Sequence, residues 1–312
     1  MARKMRYVPD ATRPIEITVR CIQGRYLLRP SPTLDRRVIG VVAHAAEKYG
    51  VVVHGINTMS NHYALIVTVP DAATMAAFMC LVNQQISIEV GHLYGWKGPM
   101  WQGRYHAIVI ADEASEVERL RYMLSNCVKE NLVERVRDWP GVQCDGALLG
   151  GGSLKGEWVN RAAMHAERQK NPTARIDEKD FIVQKTLPIH PMPSLARLPH
   201  GQRAALYRRM IRELEADAAE ARRRDGKTVL GAAAVLAMHP HHRPSSMDQS
   251  PMPRVHTTTK AARKLWRAAY IAFAEAYRRA ADALRAHRPH CDFPEGCVPP
   301  LHLFCDRPAA AT

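Results

Sequence analysis

Two short strand-forming runs, joined by a link too short for a crossover, constrain this chain most. Val51 to Asn57 reads as a strand. The link Thr58-Met59-Ser60 then turns it into an antiparallel hairpin with the apolar run that follows. In that second run Tyr63, Leu65, Val67 and Val69 share one face, and His62, Ala64, Ile66 and Thr68 share the other. His62 therefore sits at the start of a strand on its less apolar face. One imidazole alone defines neither a metal site nor an acid/base pair, so a purely structural histidine is the competing reading.

The flanking segments build on the hairpin. Ile15 to Ile22 alternates and is rich in β-branched residues, as a first strand would be, and Gln23-Gly24 ends it. Ser31-Pro32 opens a helix through Tyr49, which Gly50 stops. A second helix is expected from Pro70-Asp71 to about Val90, a fourth strand from Trp101 to Ile110, and a third helix from Asp112 to about Lys129. The order β-α-β-β-α-β-α predicts an α+β fold of the ferredoxin-like, split β-α-β type. Its antiparallel sheet carries helices on one face and leaves the other, bearing His62, open to a ligand.

On the third helix Val117, Leu120, Leu124 and Val128 form the stripe that must face the core. Tyr122 falls off it, with Asn126 and Lys129 beside it on the polar side. This leaves either a plain surface tyrosine or one held out for chemistry.

Charge narrows the partners. Lys and Arg total 44 against 30 acidic residues, a net charge of +14, and the pI is near 9.7. That balance favours a polyanion, nucleic acid first. The seven cysteines lack disulfide spacing, as expected in a reducing cytoplasm, and no run approaches the ~20 apolar residues of a spanning helix.

Domain organisation is expected as three parts: a folded domain over 1–145, a glycine- and proline-rich linker or irregular extension over 146–199, and a basic helical region over 200–312. The last contains helices from His200 to Arg224, Lys227 to Met238, and about Thr258 to His287. Trp266, Tyr270, Phe273 and Tyr277 give the final helix a core stripe, and Arg263, Lys264 and Arg267 are candidates for phosphate contact. His287, His290, Cys291, Cys297, His302 and Cys305 near the end are soft ligands in no standard zinc spacing.

Three ordered motifs carry a family resemblance. Met59-Ser-Asn-His-Tyr-Ala-Leu65, Trp101-Gln-Gly-Arg-Tyr105 and Tyr122-Met-Leu-Ser-Asn-Cys-Val128 resemble the single-tyrosine HUH transposases, in particular the REP-associated tyrosine transposases. The likeness covers about residues 1–145. It implies a DNA-binding enzyme of DNA transposition and recombination, in which a tyrosine cleaves and transfers single-stranded or hairpin DNA. Tyr122 matches the nucleophile, and His62 and Asn126 match ligands of a divalent ion, Mg²⁺ or Mn²⁺; Arg104 and Lys129 join the DNA contacts. Such relatives are monomers or homodimers. This chain departs at Ala64, where the family has its second histidine, so either a weakened enzyme or a DNA-binding protein that has lost cleavage is implied. His54 on the neighbouring strand is a potential replacement.

Overall fold

The computed structural model describes residues 5–245, 253–286 and 291–300. The expected order is present: β1 (Ile15–Arg20), α1 (Pro32–Tyr49), β2 (Val52–Met59), β3 (His62–Thr68), α2 (Ala72–Tyr94), β4 (His106–Ile110) and α3 (Glu113–Lys129). Local signals set the helix ends. The Ser31, Asp71 and Asp112 side chains accept from the backbone N–H groups of Leu34, Thr74 and Ser115. Gly50 and Gly95 close α1 and α2 at φ 63° and 65°, a conformation glycine adopts without a Cβ penalty. That C-cap carries α2 past the expected Val90. Gly103 and Arg104 fall in a bend that shortens β4, and Trp101 keeps only a bridge to Cys21.

The sheet runs β2-β3-β1-β4 with antiparallel pairing throughout, as the α+β reading requires. A two-residue strand, β7 (Val255–His256), adds in parallel along β4 and was not legible beforehand. Tyr63, Leu65 and Val67 face α1 and α2, where the Tyr63 hydroxyl donates to Asn83 Oδ1 at 2.8 Å. The opposite face is less open than expected. A Cβ placed on Gly55 would lie 2.9 Å from Met123 Sδ, so α3 rests directly on β2 there. What stays accessible is the side of the sheet toward β1 and β4: Arg20 and His106 are exposed, and Thr18 and His62 are half-buried.

Residues 146–199 are not a linker. After α4 (Asp145–Gly150), strands β5 (Ser153–Val159) and β6 (Ile182–Pro188) form an antiparallel hairpin around α5 (Arg161–Lys170). It packs on α1, and Leu187, Ile189 and Met192 join the main core. A Cβ on Gly40 of α1 would come within 2.2 Å of the Glu157 backbone, and one on Gly156 within 2.4 Å of the Gly40 nitrogen. Glycines at both positions let the two backbones touch. Buried Arg37 and Glu89, with Glu157, Arg161 and Glu178, form an ion network across the same junction. Gly40→Ala is expected to destabilise by about 1–3 kcal/mol, because the obstacle is backbone and cannot rotate away. Gly146→Ala, which meets nothing within 4 Å, is the control; equal unfolding midpoints for the two would contradict the close approach.

The C-terminal helices are likewise integrated rather than set apart. Tyr207, Met210 and Leu214 of α6 (His200–Asp225) lie in the main core, and Arg121 of α3 pairs with Glu213 and Asp217 at 2.9 and 2.7 Å. Lys227 to Gly231 is not helical; α7 is confined to Ala232–Ala237, and Leu230 N–H donates to the Asn131 carbonyl at the end of α3. In α8 (Lys260–Arg285) the aromatic stripe is as expected: Phe273 stacks on Tyr7 at 4.3 Å between centroids, and Trp266 stacks on Tyr270 at 5.2 Å.

Candidate active site

The sheet face that carries His62 also carries, by register, Arg20 and Thr18 of β1 and His106 of β4. Two anchors fix α3 over it. At the N-terminal end Arg119 Nη2 donates to Glu16 Oε1 at 2.7 Å, tying the helix to β1. At the C-terminal end Cys127 and Val128 share an apolar cluster with Met59, the residue paired with His62 across the hairpin. Tyr122 and Asn126 lie between these anchors, on the same side of the helix as Arg119.

Tyr122 is 42% exposed. The Arg119 guanidinium sits over its ring at 4.2 Å and the Lys129 ammonium at 5.1 Å, so two cations flank the phenol. Such an arrangement suits an oxygen that must approach a phosphate. Asn126 departs from the polar face expected for it: it is 8% exposed, turned inward one helical turn beyond Tyr122. Lys129 is exposed as expected.

His62 is half-buried, and its Nδ1 lies 2.8 Å from Asn61 Oδ1, leaving Nε2 as the other ring nitrogen. Burial, helped by Arg20 on the adjoining strand, pushes its pKa down to about 4. The imidazole is therefore neutral at pH 7, the form that ligates a metal. Ala64, paired with Thr18 and Asn57, is 5% exposed and offers no donor. His54 does not replace it. It lies at a bulge toward the far end of the hairpin, with its ring nitrogens 2.8 Å from the Pro191 carbonyl and from Thr68 Oγ1. Among the described residues, no three His, Cys, Asp or Glu side chains cluster as a metal site. Of the soft ligands near the chain end, His287, His290, His302 and Cys305 lie outside the described residues. His62 and Asn126 thus offer a neutral imidazole and an amide. That suits a water-rich Mg²⁺ or Mn²⁺ site, since Mg²⁺ commonly keeps most of its waters, and not a closed zinc site.

Sequence reasoning missed the support of this site. Glu16 is buried between Arg119 and His256, whose Nε2 lies 2.7 Å from Glu16 Oε2. Burial alone would raise the Glu16 pKa, but His256 and Arg119 outweigh it and hold the carboxyl below its ordinary value. The one available signal was Arg119 three residues before Tyr122, a helical neighbour spacing. The other basic candidates divide. Arg104 lines a cleft with Trp266 of α8, whereas Arg263, Lys264 and Arg267 are exposed on α8 and do not line it. Among the described residues, no helix is long and apolar enough to cross a membrane.

Residues 18–125, from β1 into α3, match the sequence model of the family described as IS200-like transposase. Two solved structures are similar to parts of the chain. A REP-associated tyrosine transposase bound to a REP hairpin has 17% identity over 48% of this chain and 86% of its own, with a TM-score of 0.38. A protein from Deinococcus radiodurans R1, described as a candidate transposase, has 15% identity over 39% and 95%, with a TM-score of 0.28. No curated protein matches the chain. Strand order, the Tyr122 helix and the family match fall on the same segment: over residues 18–125 this chain is similar to the IS200-like transposase family.

Proposed function

We propose that this protein cleaves and rejoins single-stranded DNA through Tyr122. The observation that carries the reading is an exposed tyrosine flanked by Arg119 and Lys129, on a helix anchored over the sheet face of His62. The family match over residues 18–125 and the net charge of +14 support DNA as the substrate. The tyrosine oxygen gives up its proton to solvent and bonds to the scissile phosphorus. The bond from phosphorus to the 3′ oxygen breaks, and the departing oxygen takes its electron pair and a proton from water. A 5′-phosphotyrosine and a free 3′-hydroxyl result, and the reverse attack joins strands. His62 and Asn126 would hold a divalent ion, whose charge would polarise the phosphate when bound. Arg119 and Lys129 supply fixed positive charge beside the attacking oxygen, and Glu16 holds Arg119 there. Neutral His62 needs no deprotonation to serve as a ligand near pH 7.

A second reading rests on Ala64. With His54 committed elsewhere, no imidazole takes the family's second ligand position, and a protein that binds DNA without cutting it follows if two donors are too few. Both readings require DNA binding dominated by phosphates. The affinity for single-stranded DNA is expected to fall by about tenfold or more between 50 and 200 mM salt. Fluorescence anisotropy across that range tests it, and a flat dependence would contradict both. Covalent product that appears with Mn²⁺ and disappears with chelator separates the first reading from the second.

A further inference from the structure

The cleft that Arg104 lines lies where β4, the N-terminal segment and α8 meet, outside the helix that carries Tyr122. It encloses about 290 Å³, near the lower end of ligand pockets. Its wall combines three kinds of group. Trp266 and Tyr270 form a stacked aromatic pair with rings 12° apart. Arg6, Arg104 and Arg254 bring three guanidinium groups, that of Arg6 lying 3.7 Å from the centre of the Tyr105 ring. The indole N–H of Trp266 and the hydroxyl of Tyr105 are buried and find no partner among the described residues. Buried donors normally have acceptors, so two orphans on one cleft wall mark a place where an acceptor-bearing ligand would be stabilised. We propose that this cleft holds one unstacked nucleotide of a bound DNA strand. The base lodges on the aromatic wall, its acceptor edge takes the donors of Trp266 and Tyr105, and its phosphate lies among the arginines.

The position fits the strand's path. His106 lines the cleft and pairs with Thr18, which in turn pairs with Ala64. The cleft is thus two strand spacings, about 10 Å, from the strand that carries His62. A strand presenting a phosphate to Tyr122 therefore reaches the cleft within a few nucleotides. Trp266, Tyr270 and Arg254 all lie beyond the family match, so the C-terminal region would add a contact that the matched domain lacks. This inference rests on the DNA-binding part of the proposed function and deepens it.

The full-length protein can be titrated with a short oligothymidylate and with a strand of equal length and charge made of abasic residues. The base-bearing strand is expected to bind roughly 5- to 100-fold more tightly, the range that base–aromatic stacking supplies. Trp266→Ala should erase that difference and leave the abasic affinity unchanged, whereas Arg254→Gln should weaken both strands alike. Trp266→Phe and Tyr105→Phe keep a ring and remove one donor each; a reduced base preference in both guards against a folding defect in Trp266→Ala. Equal binding of the two wild-type strands would overturn the cleft assignment while DNA binding stands. A base preference that survives Trp266→Ala and both phenylalanine variants would overturn it as well. Competition by a free deoxynucleoside monophosphate as strong as by the strand would replace the strand with a free nucleotide. Binding of neither strand at low salt would overturn the DNA-binding reading, and this inference with it.

Discussion

Tyr122→Phe is expected to leave DNA binding intact and to reduce the covalent protein–DNA product by roughly 10³-fold or more, the scale on which loss of a nucleophile acts. The change removes one hydroxyl from a ring that is 42% exposed, so packing hardly enters. No hydrogen bond depends on that hydroxyl among those that hold α3, whose anchors are Arg119 with Glu16 and the Cys127–Val128 cluster. Denaturing gels with labelled single-stranded DNA and Mn²⁺ provide the measurement. Undiminished product in the variant would move the chemistry to another residue. In the same assay Ala64→His is expected to speed product formation, because an imidazole fixed beside His62 replaces a mobile water on the ion. The gain requires Tyr122, so the double variant should be as inactive as Tyr122→Phe.

Glu16→Gln is expected to cost up to about 3 kcal/mol of stability at neutral pH, because it leaves the half-buried Arg119 charge without its counter-charge. The pH dependence has a definite sign. The folded carboxyl titrates below its ordinary value. Its contribution is therefore complete above the unfolded carboxylate range and is lost as pH falls through the lower, folded value. Wild-type stability should drop across that acid window, and the variant's should drop less there. Parallel acid limbs in urea unfolding would show that Glu16 is not held ionised by Arg119 and His256. Since Arg119 also covers the Tyr122 ring, the variant should slow product formation beyond what its lost stability explains.

What was legible in the sequence is what local rules govern. The hairpin, the three capped helices and the aromatic stripe of α8 each follow from periodicity and from residues within a turn of one another, and the strand order follows from their succession. The contacts that were not legible join distant segments. Residues 146–199 looked like a linker because they are rich in glycine, proline and polar residues, and sequence does not show that Gly40 and Gly156 bring two backbones into contact or that Leu187, Ile189 and Met192 reach the main core. His54 looked available because sequence shows neither the bulge that reorients it nor Pro191, which occupies it. Asn126 was assigned to the polar face by helical angle, but burial divides that face: Asn126 is 8% exposed and Tyr122 42%. The partners of Glu16 come from α3 and from the two-residue strand β7, which no periodicity could announce.

The most direct measurement is the site of covalent linkage. The full-length protein, incubated with single-stranded DNA and Mn²⁺, denatured and digested, can be mapped by mass spectrometry for a nucleotide-bearing peptide. The modification is expected on Tyr122, as a phosphodiester to the 5′ end of the downstream strand. DNA binding with no linked peptide under any metal condition, or a linkage to any residue other than Tyr122, would contradict the account.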